Sequence, residues 1–265
     1  MRITNTTEIR VIGLQRSGNH PIINWIGSQY PKKKVYLLNN IEPYKNPFKS
    51  LHRTIIFHNL HLNKKNELKK PSKKDCLIYS YEDIPLEQIS STLSEKNHDK
   101  WLGKSSKRYD VLILRDPFNL FASRLQRELD NVGNKINIST DKGFLIELWK
   151  QYAKEYLGLT NYLKNKKIII NYNRWFLDKN YRKHIANALD IPFTDKGFNE
   201  VLEVGNGSSF DGLKYHLKTH KMNVLKRWKK FHNNKKYKSL FKDLELIKLS
   251  NKIFGCFPGR RIILK

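Results

Sequence analysis

The residues best suited to chemistry lie in one stretch near the start of the chain, Ile9–Ile26 (IRVIGLQRSGNHPIINWI). Within it, Arg16 and Ser17 offer a cation and a hydroxyl donor in a turn that follows the apolar run 11–14. Pro21 is predicted to begin a helix, because the first turn of a helix does not need the N–H that proline lacks. A strand, a turn of small residues and a helix N-terminus direct several backbone N–H groups at one point, which is an arrangement that binds phosphate.

The glycine spacing of this loop suggests a nucleotide triphosphatase, but the residues that follow argue against one. Gly13 and Gly18 have the separation found in a Walker A loop, in which Lys binds the terminal phosphates and Ser or Thr binds magnesium. Asn19 and His20 occupy those two positions here. The loop is therefore expected to bind phosphate without an obligatory metal, and no metal site is predicted. The alternative is a strand–turn–helix corner that binds no ligand.

Two motifs, in this order, resemble those of the sulfotransferases that use 3′-phosphoadenosine 5′-phosphosulfate (PAPS) and release adenosine 3′,5′-bisphosphate (PAP). The sequence RSGNH, before a helix that contains Trp, is similar to the 5′-phosphosulfate loop of that family. Tyr109–Arg124 (YDVLILRDPFNLFASR) is similar to its 3′-phosphate motif, with Ser eight residues after Arg. The resemblance implies that cofactor binding involves Arg16, Ser17, Gly18, Asn19, His20, Arg115 and Ser123.

A looser resemblance implies the residues that contact adenine. Gly207–Phe210 (GSSF) resembles the Thr-Ser-Phe element of the family, in which a hydroxyl and a ring contact the base. Ser208, Ser209 and Phe210 are candidates for that reason. Tyr172 resembles a Tyr that ends a strand and touches adenine in related enzymes. Packing in the core is the alternative role for both aromatic residues.

The stretch Lys221–Trp228 (KMNVLKRW) occupies the place where the family has a Lys- and Gly-rich segment that closes on the 3′-phosphate. The glycines of that segment are absent here. The resemblance nevertheless implies a cation for the 3′-phosphate, for which Arg227 is the first candidate and Lys221 the second. A solvated helix face remains the structural alternative.

Sulfonate transfer needs a base at the acceptor and cations at the leaving group. The resemblance places Arg16 where the family has a Lys or Arg that stabilises the leaving phosphate. It also places Glu82, which follows the strand between the two motifs, in the position of the catalytic base. Asp83, His58 and His61 are alternative bases. A capping role at the following turn is the alternative for Glu82.

Strands that alternate with helices predict an α/β fold, a single domain with a mainly parallel central sheet flanked by helices and a P-loop-like phosphate cradle. In such sheets ligands bind at the carboxyl ends of the strands. One domain is expected over residues 1–265, with a basic, mostly helical part from about residue 213. Strands are predicted at 11–14, 34–39, 53–57, 75–80, 111–114 and 167–172, helices at 86–94, 119–129, 144–163 and 181–189, a surface connection at 63–74 and a loop at 95–107.

The chain is strongly basic, with 51 Lys and Arg against 24 Asp and Glu and a net charge of +27. Such a charge attracts anionic partners. The basic clusters are scattered and accompany no nucleic-acid-binding motif, which argues against nucleic acid as the partner. No run of 18 apolar residues predicts a membrane span, no secretory signal is recognisable, and the two cysteines form no disulfide framework. A cytoplasmic protein is therefore expected.

Together these observations favour a PAPS-dependent sulfotransferase that modifies a hydroxyl or amine of a glycan, lipid or small molecule. A P-loop-type small-molecule kinase is the alternative enzyme, and a requirement for Mg²⁺ would favour it. A basic nucleic-acid-binding module is the alternative without catalysis, and strongly salt-dependent binding that PAP does not affect would favour it.

Overall fold

The structure is a computed structural model that describes residues 3–30, 34–50, 54–56, 64–130, 142–201, 207–208 and 210–263. Three of the candidate residues, His58, His61 and Ser209, lie outside the described residues. None of the described helices is long and apolar enough to cross a membrane.

Within this part of the chain, one sheet is built from β1 (Ile3–Gly13), β2 (Val35–Leu38), β3 (Thr54–Ile56), β4 (Lys74–Glu82), β5 (Lys104–Leu114) and β6 (Lys166–Asn171). The strand order is β3-β2-β4-β1-β5-β6. All neighbours pair in parallel except β3, which is antiparallel to β2. The prediction of a mainly parallel α/β fold is confirmed. The carboxyl ends of β4, β1 and β5 therefore lie side by side.

Helices cover both faces of the sheet. They are α1 (Asn19–Ser28), α2 (Pro47–Ser50), α3 (Lys64–Lys69), α4 (Leu86–Ile89), α5 (Thr92–Lys96), α6 (His98–Leu102), α7 (Pro117–Asp130), α8 (Lys142–Tyr156), α9 (Tyr172–Leu177), α10 (Lys179–Ala188), α11 (Lys235–Ser239), α12 (Leu244–Phe254) and α13 (Arg260–Ile263). Short 3₁₀ helices span Thr219–Lys221, Arg227–Lys230 and Leu240–Lys242.

The apolar core is divided by the sheet into two layers, as the alternation of side chains along a strand requires. On β1, Val11 packs in the layer that contains Trp25 of α1. Its neighbour Ile12 packs in the opposite layer, with Trp149 of α8. The two layers hold β1 at the centre of the sheet, and the loop that follows β1 is therefore anchored on both faces.

The predicted loop at 95–107 is wrong, because this segment contains α6 and the first residues of β5. The first halves of β1 and β5 are polar, so hydrophobic periodicity does not reveal them. The polar side chains of Asn5, Thr7 and Glu8 on β1 are nevertheless buried. Glu8 accepts hydrogen bonds from the Tyr79 hydroxyl at 2.8 Å and from Arg108 Nε at 3.1 Å, and contacts His98 Nε2 at 2.8 Å. This network satisfies groups that would otherwise need water.

Three further boundaries differ from the predictions. The helix predicted at 144–163 ends at Tyr156, just before Gly158 adopts a φ of 70°. The helix predicted at 86–94 is broken into α4 and α5. The Lys-rich connection at 63–74 includes α3, and there the buried ammonium of Lys74 pairs with Glu67 at 2.7 Å. Helix α9 was not predicted, whereas α12 lies in the C-terminal part that was expected to be mostly helical.

Candidate functional site

The loop between β1 and α1 follows one of the two central strands of the sheet. Arg16 has a φ of 72° and Gly18 a φ of 93°, both in the left-handed region. The Ser17 N–H donates to the Leu14 carbonyl at 3.0 Å and closes the turn. The first N–H groups of α1 have no partner within the helix, so they are available to a ligand at the mouth of this loop. The sequence prediction of a strand–turn–helix cradle describes this geometry.

Gly18 is required for two reasons, its left-handed backbone and its close approach to a ring. A Cβ at this position would lie 2.1 Å from Cε2 of Tyr172. The Tyr172 side chain is 5% exposed and stacks on Trp175, with ring centres 5.9 Å apart. Tyr172, the first residue of α9, therefore packs directly against the loop.

Gly18→Ala is expected to lower the free energy of unfolding more than Gly158→Ala does. Gly158 also has a positive φ, but a Cβ there would meet nothing within 4 Å. Its replacement should cost only the left-handed strain, about 1–2 kcal/mol, whereas Gly18→Ala adds overpacking of about 1–3 kcal/mol. Urea unfolding of both variants measures the difference. Equal losses would contradict the packing of Tyr172 on the loop.

Two buried guanidinium groups converge on one hydroxyl beside this loop. Arg115 follows β5, and its Nη1 donates to Ser123 Oγ of α7 at 3.3 Å and to the Arg16 carbonyl at 3.0 Å. Arg227 Nη1 donates to the same Ser123 Oγ at 2.8 Å. The exposed fractions of Arg115, Ser123 and Arg227 are 1%, 0% and 8%. The structure thus brings three of the candidate residues into contact.

The segment that carries Arg227 is held by hydrogen bonds to α7 and to Arg115. The Arg227 N–H donates to Asn119 Oδ1 at 2.9 Å, and Asn119 Nδ2 donates to the Leu225 carbonyl at 3.1 Å. Arg115 Nη2 donates to the Val224 carbonyl at 2.5 Å. Lys221, the second candidate, is exposed on a separate 3₁₀ helix. Sequence reasoning missed Asn119, although it lies within the stretch that resembles the 3′-phosphate motif.

The arginine cluster, formed by Arg115 and Arg227 around Ser123, carries positive charge that the nearby carboxylates only partly balance. Burial and the nearby charge of Arg115 lower the pKa of Arg227 to about 9. The group stays charged at neutral pH, and Asp211 lies 3.7 Å from its Nη2. Burial, followed by the charge of Arg127, also lowers the pKa of Arg16. An anion bound among these groups would stabilise all of them.

Several buried donors at the site are not used by the described residues. Ser17 Oγ, Arg115 Nε and Arg227 Nε have no hydrogen-bond partner within the described ranges. Buried polar groups in native proteins are nearly always paired. Unpaired donors that accompany excess positive charge indicate a site for an anion with several acceptor oxygens, such as phosphate.

Three of the candidate adenine-binding residues, Ser208, Phe210 and Tyr172, lie beside the arginine cluster. Ser208 Oγ accepts a hydrogen bond from Arg227 Nη2 at 2.7 Å. The Phe210 ring centre lies 5.0 Å from Arg227 Cζ, and the Tyr172 ring centre lies 4.9 Å from Arg115 Cζ. The two rings thus flank the guanidinium groups.

Glu82 ends β4, on the other side of β1 from the arginine cluster. Its Oε1 accepts a hydrogen bond from Asn19 Nδ2 at 2.8 Å, and its N–H donates to Asn40 Oδ1 at 3.2 Å. Its negative charge is close enough to raise the pKa of Arg16, against the larger effect of burial. The Glu82 carboxylate at the end of β4 therefore lies close to the cation that the loop itself carries.

Asp83, the neighbouring carboxylate, stabilises the loop through hydrogen bonds to Gln15 and Arg124. Its two oxygens accept from Arg124 Nη1 and Nη2 at 2.8 and 2.9 Å. Its Oδ1 also accepts from the Gln15 N–H at 3.0 Å, and Arg124 Nη1 donates to the Gln15 carbonyl at 3.2 Å. Sequence reasoning missed this role of Arg124, although it directly follows Ser123.

His20 lies at the start of α1, and its side chain contacts the residue that follows β2 and not the arginine cluster. Its Nε2 is 3.1 Å from Asn39 Oδ1. The described residues contain no group of His, Cys, Asp and Glu that could hold a metal ion.

Comparison with known proteins gives a likeness in fold. No protein-family model and no curated protein sequence matches the chain. Among solved structures, mouse sulfotransferase SULT7A1 complexed with PAP is 16% identical, with 71% of this chain and 60% of that chain covered and a TM-score of 0.43. The sulfotransferase domain from the curacin biosynthetic pathway is 10% identical, with 97% and 100% covered and a TM-score of 0.45. This chain thus spans less than two thirds of the mouse protein. Both of these solved structures are described as sulfotransferases.

Proposed function

We propose that this protein is a sulfotransferase that takes a sulfonate group from PAPS, transfers it to a hydroxyl or amine of an acceptor and releases PAP. The observation that carries the proposal is the convergence of two buried guanidinium groups, those of Arg115 and Arg227, on Ser123 Oγ. Each guanidinium keeps an unpaired Nε among the described residues. Such a set of donors suits a phosphate dianion better than any neutral ligand.

A second anion position lies at the loop between β1 and α1, where Ser17 Oγ is buried without a partner among the described residues. Strands β1 and β5 are neighbours in the sheet, so the two positions lie on adjacent strand ends. A ligand with two separate phosphate groups fits this arrangement. The rings of Tyr172 and Phe210 beside the arginine cluster offer apolar surfaces for its base.

When bound, PAPS supplies a sulfonate attached to a phosphate leaving group. Glu82 takes the proton of the acceptor while the acceptor oxygen or nitrogen forms its bond to sulfur. Arg16 and the N–H groups of the loop stabilise the charge that develops on the phosphate oxygen as its bond to sulfur breaks. The acceptor proton thus ends on Glu82, the sulfonate on the acceptor and the electron pair on PAP.

PAP is expected to stabilise the protein without a metal. At about a hundred times its dissociation constant it should raise the free energy of unfolding by about 2.7 kcal/mol, and EDTA should leave this increase unchanged. Denaturant unfolding with PAP, with ATP and with ATP plus Mg²⁺ makes the measurement. No shift with PAP, together with a shift from MgATP that EDTA abolishes, would instead support a kinase.

A further inference from the structure

We infer that Asn19 is a positioning residue whose side-chain amide holds the Glu82 carboxylate in place for proton transfer. The resemblance in sequence groups Asn19 with the cofactor-binding residues, and its backbone N–H belongs to the start of α1. Its side-chain amide, however, donates its hydrogen bonds to Glu82 and to the Leu14 carbonyl. The inference rests on the proposed function, in which Glu82 is the base.

The contacts of the Asn19 side chain fix both its position and its orientation. The residue is 4% exposed, and its Nδ2 donates to Glu82 Oε1 at 2.8 Å and to the Leu14 carbonyl at 3.2 Å. Its Oδ1 lies against Gly13, where a Cβ would be only 2.1 Å away. If the amide were flipped, its oxygen would face the Leu14 carbonyl and the Glu82 carboxylate. Because all three oxygens are acceptors, only the observed orientation is compatible with these neighbours.

The hydrogen bond from Asn19 connects the phosphate loop to the proposed base. Asn19 is the first residue of α1, directly after the loop, and Glu82 is the last residue of β4. A base acts only within hydrogen-bond reach of the proton that it takes, and an error of about 1 Å in placement can lower the rate about a hundredfold. Because Glu82 is only partly buried, the bond from Asn19 restricts its rotamers at the place where the leaving group is bound.

The same helix offers a matched control in Asn24. Asn24 is also 4% exposed, and its Nδ2 also donates to one carboxylate, Glu200 Oε2 at 3.0 Å, and to one carbonyl, that of Gly197 at 3.3 Å. Its contacts face away from the loop. Asn24→Ala therefore removes the same kind of buried amide from α1 without touching the proposed base.

The experiment compares Asn19→Ala, Asn24→Ala, Glu82→Gln and the double variant Asn19→Ala/Glu82→Gln. Calorimetry measures PAP binding, and conversion of radiolabelled PAPS to PAP, with water or a screened hydroxyl compound as acceptor, measures turnover. Asn19→Ala should lower kcat about 10- to 100-fold and change the dissociation constant of PAP less than about threefold. Asn24→Ala should change neither. The double variant should turn over no more slowly than Glu82→Gln alone, since residues that act as a unit are not additive.

Asn19→Ser provides a second variant if Asn19→Ala does not fold, because serine keeps a small polar side chain at the first residue of α1 and is too short to reach Glu82. A weaker affinity for PAP, with kcat equal to that of Asn24→Ala, would show that Asn19 supports the loop alone and would overturn the inference. Full additivity in the double variant would overturn it as well. Failure of the parent protein to bind PAP would instead contradict the proposed function.

Discussion

Replacing Arg227 with methionine is expected to weaken PAP binding about 10- to 100-fold without lowering the stability of the ligand-free protein. Each hydrogen bond from a guanidinium to an anion contributes about 1.5–3 kcal/mol, and 1.4 kcal/mol is a factor of ten. The ligand-free protein should lose little stability, because burial and the nearby charge of Arg115 already oppose the positive charge of Arg227 and lower its pKa. Methionine keeps the apolar volume beside Phe210. Calorimetry measures binding, and denaturant unfolding measures stability.

Lys229→Met is the matched control, since Lys229 lies in the same 3₁₀ helix and is exposed. It removes one positive charge from the surface and should leave the affinity for PAP nearly unchanged. If Arg227 instead serves only to connect Ser123 and Ser208, the two measurements should give the opposite result. In that case Arg227→Met would lower the free energy of unfolding by about 1–3 kcal/mol and leave PAP binding intact.

The parts of the site that the sequence predicts are those set by short stretches of chain. The order strand, Gly18, Pro21 and an apolar helix face requires a tight turn into α1. The spacing of Arg115 and Ser123 places the hydroxyl on α7 within reach of the guanidinium that precedes this helix. Interactions of this kind depend on a few neighbouring residues. They can therefore be inferred without knowledge of how distant segments pack.

The features that the sequence did not reveal depend on contacts between distant segments. Glu8 lies in a strand whose first half is polar, and it is buried only because Tyr79, His98 and Arg108 satisfy it. Burial of Glu8 opposes ionisation, but His98, Arg108 and Ser105 together outweigh it and lower the pKa of Glu8 to about 2. A pattern of apolar residues gives no sign of such a strand.

The roles of the two carboxylates near the loop also depend on contacts between distant segments of the chain. Glu82 and Asp83 are adjacent in sequence and both follow β4, so their types alone do not assign their roles. The structure separates them, since both oxygens of Asp83 are occupied by Arg124, while Glu82 receives its side-chain hydrogen bond from Asn19. Asp83 therefore holds the loop, which is why Glu82 and not Asp83 is the base in the proposed function.

Glu82→Gln is expected to reduce turnover by about 10²–10⁴, the usual contribution of a positioned base, and to leave PAP binding intact. Glutamine keeps an oxygen that can accept from Asn19 Nδ2, so the position of the side chain should be preserved while its basic lone pair is lost. PAP affinity should survive because the arginine cluster lies on the β5 side of β1 and Glu82 on the β4 side. Conversion of radiolabelled PAPS in the presence of an acceptor measures turnover.

Glu87→Gln is the control, because the Glu87 carboxylate on α4 accepts a hydrogen bond from Gln151 and not from the loop. Its replacement should leave turnover unchanged. If Glu82→Gln retains most of its turnover while His58→Ala or His61→Ala abolishes it, the base is supplied by the segment after β3. The proposed sulfonate transfer would then stand with a different base, whereas the role of Asn19 would fall with Glu82, because the amide would hold a carboxylate that takes no proton.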